Sequence, residues 1–134
     1  MSTQVFINLP VADVSKSKAF FKALGYSHDP LFDDDTATCI VISEAVSVML
    51  LTHAKFSELT PRAICDTSKA VEVLLTLSCE SREQVDGIVA KALAAGGATH
   101  DKPEDHGFMY THSFVDPDGH GWGLVHLNCD LPAQ

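Results

Sequence analysis

Apolar residues alternate with polar ones at two places 68 residues apart. Val5, Ile7, Leu9 and Val11 correspond to Val73, Leu75, Leu77 and Cys79. Period-two alternation marks a strand with one buried face. Each run leads into a helix-starting residue, Asp13 or Ser81, and then into an amphipathic stretch that ends in glycine, at Gly25 or Gly96-Gly97. In the first stretch Val14, Ala19, Phe20 and Leu24 form the apolar stripe; in the second it is Val85, Ile88, Val89, Ala92 and Leu93. Ser81-Arg-Glu-Gln84 is a capping box. A fixed repeat of this kind sets the architecture before any single motif is weighed.

Further strands follow each helix. The first half offers a weak one at Tyr26–Leu31, interrupted by Asp29-Pro30, then Thr38–Ile42 and Val46–Leu51. The second half opens with a strand at Glu72–Cys79. After its helix come a short run at Ala98–His100, a polar loop at Asp101–Gly107, and strands at Phe108–Val115 and Gly121–Leu127 around the turn Asp116-Pro-Asp-Gly119. Both halves read β-α-β-β-β, an α+β fold. Module one runs about 4–52, a connector 53–70 and module two about 71–128, within one domain spanning 1–134. The connector is expected to hold a short helix opened by Pro61.

Strand parity then separates two faces. Val5, Ile7, Leu9 and Val11 should pack on the helices, which turns Phe6 and Asn8 to the other side. Likewise Glu72, Leu74, Thr76 and Ser78 face away from the second helix, together with Thr111, Ser113 and Gly123. This mixture of apolar and hydrogen-bonding groups suits a pocket or a dimer seam better than open solvent. Gly121 and Gly123 would leave room for a ligand, or mark a close chain crossing.

Composition removes several classes of function. With 134 residues, 46% hydrophobic and 20% charged, the chain can build a packed core. Its net charge of −9 and lack of a Lys/Arg cluster argue against nucleic-acid and anionic-membrane partners. No apolar run is long enough to span a bilayer, and nothing near Met1 resembles a signal peptide, so a cytoplasmic location is expected. Cys39, Cys65, Cys79 and Cys129 lack metal-ribbon spacing, and Cys39 and Cys79 read as small core residues. Asp33-Asp34-Asp35 reads as a solvated loop. His106, His112, His120 and His126 fall on different elements, so a shared metal site is not expected: two are strand histidines and two surface ones. Asp105-His106 could form a carboxylate-oriented base.

Asn8-Leu-Pro-Val-Ala-Asp13, the helix residues Ser17, Phe20-Phe21 and Leu24-Gly25, and Asp116-Pro-Asp-Gly-His120 before the last strand carry a resemblance. In this order and in a doubled β-α-β-β-β frame, the chain resembles the vicinal oxygen chelate superfamily of glyoxalases, bleomycin-resistance proteins and extradiol dioxygenases. Asp105-His-Gly-Phe-Met-Tyr110 is similar to a small bacterial glyoxalase-like subgroup. The resemblance implies two modules whose sheets form a U-shaped mixed-sheet cup with helices outside, and a homodimer.

In catalytic members of the superfamily, the resemblance implies a divalent metal held by the first and last strand of each module. Carried over, those positions are Phe6, Leu74, Gly123 and Leu50, or Met49 with a one-residue slip. None carries a carboxylate, imidazole or thiolate. The expectation is no metal and no cofactor, with a divalent ion admissible only at a non-standard site. A small organic ligand is expected instead, against Phe6, Asn8, Leu74, Thr76, Thr111, Ser113 and Gly123. Two alternatives stand beside it: a glyoxalase-like lyase or isomerase with a shifted metal set or Glu72 as base, and a structural homodimer without ligand.

Overall fold

The computed structural model describes residues 3–128, and the chain divides into two units, Met1–Asp66 and Thr67–Gln134. In the first, β1 (Val5–Val11) is followed by α1 (Val14–Ala23), β2 (Ser27–His28), β3 (Ala37–Val41), β4 (Val46–Thr52) and α2 (His53–Ser57). The second contains β5 (Leu74–Ser78), α3 (Arg82–Ala94), β6 (Glu104–Asp105), β7 (Met109–Val115) and β8 (Gly121–Leu127).

Each unit builds a four-stranded mixed sheet, ordered β1-β4-β3-β2 and β5-β8-β7-β6. The repeat is therefore reproduced strand for strand. Within each sheet the first strand pairs parallel with the last and the other pairings are antiparallel. A parallel pair needs a crossover, and α1 and α3 begin the two crossovers. The architecture is α+β, two βαβββ modules.

Local chemistry explains the helices. Asp13 caps α1 by accepting the Lys16 N–H at 3.1 Å. In α3 the capping box is formed: Ser81 Oγ accepts the Gln84 N–H at 3.0 Å, and Gln84 Oε1 accepts the Glu80 N–H at 2.6 Å. Gly25 (φ 103°) and Gly96 (φ 104°) close the helices in the left-handed region.

Several boundaries differ from expectation. β5 begins at Leu74, so Glu72 precedes the strand. β3 shifts by one residue, to Ala37–Val41, and β4 gains one at its end, to Val46–Thr52. Asp29 and Pro30 end β2 after two residues and open a 3-10 turn at Pro30–Phe32, with Asp29 Oδ1 accepting the Leu31 N–H. The connector helix is α2, capped by Thr52, and lies ahead of Pro61. The run at Ala98–His100 reduces to a bridge between Ala98 and Val115, while the loop Asp101–Gly107 contains β6.

The core follows the predicted parity from Leu9 onward, while Val5, expected to pack on the helices, is exposed at the start of β1. In module one Leu9, Val11, Ile40, Val48 and Leu50 are buried beneath α1, whose own buried residues are Val14, Ser17, Phe20 and Phe21. Ala19 is exposed, and Phe21 fills the stripe in its place. In module two Phe114, Trp122 and Leu124 meet Val85, Ile88, Val89 and Ala92 of α3, while Leu93 is exposed. The Phe114 and Trp122 rings stack with centroids 6.2 Å apart. Cys39 is buried and Cys79 partly buried, and burial raises both thiols above their ordinary pKa. Cys129 lies outside the described residues.

Candidate functional site

Register fixes which residues share the sheet face turned away from the main helix of each module. In module one Phe6 pairs with Ser47 and Asn8 with Met49. In module two Leu74 pairs with Gly121, Thr76 with Gly123, and Gly123 in turn with Ser113. Thr111 sits between Glu104 and Val125. The expected ligand-facing residues thus occupy one face of each sheet. Phe6 is 51% exposed and Leu74 70%, high values for such apolar side chains.

The two registers are equivalent at the 68-residue offset: Asn8 opposite Met49 matches Thr76 opposite Gly123. Met49 is therefore the module-one counterpart of Gly123. Leu50 is not: it pairs with Leu9 and is 0% exposed on the α1 side. The four positions at which the superfamily resemblance implies a metal ligand are Phe6, Met49, Leu74 and Gly123. A phenyl ring, a thioether, an isobutyl group and a hydrogen do not fit a hard or borderline divalent ion. Among the described residues, no group of three His, Cys, Asp or Glu side chains could hold a metal.

The strand glycines do not leave open space. A Cβ on Gly121 would lie 2.7 Å from Leu74 Cδ2, and one on Gly123 would lie 2.8 Å from Thr76 Oγ1. Side chains of β5 lean across β8, and glycine permits that approach.

Around Ser113 a polar group assembles that strand parity did not reveal. Its hydroxyl stands 3.0 and 2.9 Å from the two carboxylate oxygens of Asp101, and Thr99 Oγ1 donates to the Ser113 carbonyl at 2.8 Å. His112 Nε2 approaches the Asp101 carbonyl at 3.3 Å. Asp101 belongs to an irregular loop, so no periodicity marked it.

Glu72 is held rather than free. Its Oε1 lies within hydrogen-bond distance of His120 Nδ1, at 2.6 Å. His120 is 2% exposed, a correction to its reading as a surface histidine. It is buried because the turn before β8 is organised from within by Asp116. Asp116 Oδ1 accepts the N–H groups of Asp118 (2.9 Å) and His120 (3.0 Å), and Oδ2 accepts the Trp122 indole N–H (3.0 Å). Burial pushes the Asp116 carboxyl above the usual range, with His120 and the Trp122 hydrogen bond opposing the shift. Asp116-Pro-Asp-Gly-His120 is thus a turn whose first and last residues fasten β8 and the approach to β5.

Asp105 does not orient His106. It forms two hydrogen bonds with the Arg82 guanidinium, at 2.6 and 3.0 Å, and Arg82 holds its carboxyl below the usual range. His106 Nε2 instead stands 3.1 Å from Glu104 Oε2. The acidic run of module one is also engaged: Asp33 pairs with Lys18 at 2.6 Å, and Asp34 Oδ1 accepts the Thr36 and Ala37 N–H groups.

Known proteins share parts of this sequence and the whole of this fold. The family described as bleomycin resistance protein-like N-terminal matches residues 3–43. The structure is similar to that of the hypothetical protein SA1046 from S. aureus, at 30% identity over 94% of this chain and 95% of the other, TM-score 0.79. The chain also shares its fold with structures described as glyoxalase, bleomycin resistance protein and dioxygenase family members. One is a glyoxalase/bleomycin resistance protein/dioxygenase family enzyme from Burkholderia phytofirmans PsJN, at 15% identity over 95% and 100% of the two chains, TM-score 0.77. Another is a glyoxalase-related enzyme from Fulvimarina pelagi, at 18% identity over 100% and 94%, TM-score 0.79. No curated protein matches the sequence.

Proposed function

We propose that this chain binds a small organic molecule, without a metal ion, on the sheet faces turned away from α1 and α3. One observation carries the reading: Phe6, Met49, Leu74 and Gly123 stand where the superfamily resemblance implies metal ligands, and none of them suits a divalent ion. The apolar Phe6 is exposed on the module-one face that carries Asn8, and Leu74 on the module-two face that carries Thr76, Thr111 and Ser113. Apolar area with a few hydrogen-bonding groups is the composition of a small-molecule site. In this reading the protein sequesters its ligand, as bleomycin-resistance proteins do, and acts as a cytoplasmic homodimer.

A thermal-shift screen with metal-free bleomycin and single-ring aromatics, run in the presence of a chelator, tests this function. A stabilising compound whose effect is unchanged by the chelator supports it. No stabilisation by any of them, or stabilisation only after a divalent ion is restored, rejects it.

A second reading draws on Glu72, whose carboxylate is held by His120 while its side chain remains one-quarter exposed. Such a group could serve as the base of a lyase or isomerase. If turnover of a glyoxalase-type substrate is found, its loss in Glu72→Gln supports the base, and unchanged turnover rejects it.

A further inference from the structure

Module two contains a cavity away from the residues of the proposed ligand face. It measures about 290 Å³ and lies where the start of α3 meets β7 and β8, with Arg82, Met109, Tyr110, His126 and Asn128 among its lining. His126 shares the α3-facing side of β8 with Trp122 and Leu124, opposite in parity to Gly123.

The polar walls of this cavity are fixed from behind. The Arg82 guanidinium is tied to Asp105 by two hydrogen bonds and sits 5.0 Å above the Tyr110 ring centroid. The Tyr110 hydroxyl donates to Asp86 Oδ1 at 2.7 Å. His126 Nδ1 lies 3.1 Å from the carbonyl oxygen of Cys79. A carbonyl can only accept, so Nδ1 carries the proton, and in the neutral ring Nε2 is the acceptor. Second-layer contacts of this kind give a site its geometry before a ligand arrives.

Charge narrows the ligand class. An anion would meet Glu83, a lining residue, and a guanidinium whose charge is already paired with the Asp105 carboxylate. A cation would meet Arg82 and the positive end of the α3 dipole. A neutral molecule with a donor to offer meets neither obstacle. Size narrows it further: an apolar cavity of about 150 Å³ accepts benzene, so this one has room for a single substituted ring. Met109 and Tyr110 provide apolar surface for that ring. We infer that the cavity binds a small neutral hydroxylated aromatic of the phenol class, whose O–H donates to His126 Nε2.

The test is an amide-resolved NMR titration of the full chain with 4-methylphenol, paired with 4-methylanisole, which has the same ring without the donor. Saturable shifts centred on Met109, Tyr110 and His126 are expected, with the anisole weaker by about fivefold or more. In His126→Phe the two probes should bind alike. Equal affinity of the two probes for the unaltered protein, the absence of shifts, or shifts centred on Thr76, Ser113 and Gly123 would each overturn the inference. Its failure would leave the sheet-face function standing, because that function is scored on different residues.

Discussion

Thr76 leans over Gly123 so closely that a Cβ on the glycine would stand 2.8 Å from its Oγ1. The contact joins β5 to β8 on the proposed ligand face, at the position where the superfamily resemblance implies a carboxylate. A glutamate there would have to displace Thr76.

The glycines of module two should therefore differ in their tolerance of alanine. In Gly123→Ala the encroached atom ends a short side chain that can rotate, so the cost should stay below about 1.5 kcal/mol. Gly119 has φ 86°, and its Cβ would meet the backbone oxygen of Thr67 at 3.0 Å. Gly119→Ala should cost more, at least about 1–2 kcal/mol from the left-handed backbone alone. Urea denaturation of both variants checks the order.

Asp116→Asn should loosen the turn before β8. One amide oxygen can still accept from the backbone, but an NH₂ group then faces the Trp122 indole N–H, donor against donor. Leaving that buried donor unsatisfied should cost about 1–3 kcal/mol. Trp122 is the sole tryptophan, so a change in intrinsic fluorescence reports the lost contact directly.

The Arg82–Asp105 pair should stabilise module two only when Asp105 is ionised. Its folded-state pKa is lowered, chiefly by hydrogen bonding to Arg82. The contribution is then fully present above the unfolded carboxyl pKa of about 3.9 and is lost as pH falls through the lower folded value. Denaturation of the wild type and Asp105→Asn should separate the two proteins near neutral pH and bring them together in strong acid. A gap that persists unchanged in acid would contradict the assignment.

Leu74→Ser separates stability from binding. Leu74 is largely exposed, so the substitution should change stability by less than about 0.5 kcal/mol. It should nonetheless weaken any compound found in the thermal-shift screen, measured by calorimetric titration.

Much of this arrangement was legible in the sequence, for physical reasons. Alternation and the 68-residue repeat located β1 and β5, because one face of each sheet must be buried. The same parity placed Phe6, Asn8, Leu74, Thr76, Thr111, Ser113 and Gly123 on the faces where the structure has them. Boundaries were weaker where a side chain overrides periodicity, as Asp29 does when it turns the chain after His28. Leu50 against Met49 could be decided only by the β1–β4 register, since both are apolar. The His120–Glu72 contact and the Asp101–Ser113 contact join residues 48 and 12 apart through turns and loops, where no period exists to read.

The claim that the ligand face works without a metal is tested most directly by elemental analysis of protein purified without chelators. The account predicts well under about 0.1 equivalent of any divalent ion per chain, because Phe6, Met49, Leu74 and Gly123 cannot hold one. About one tightly held ion per chain, surviving extensive dialysis, would contradict it.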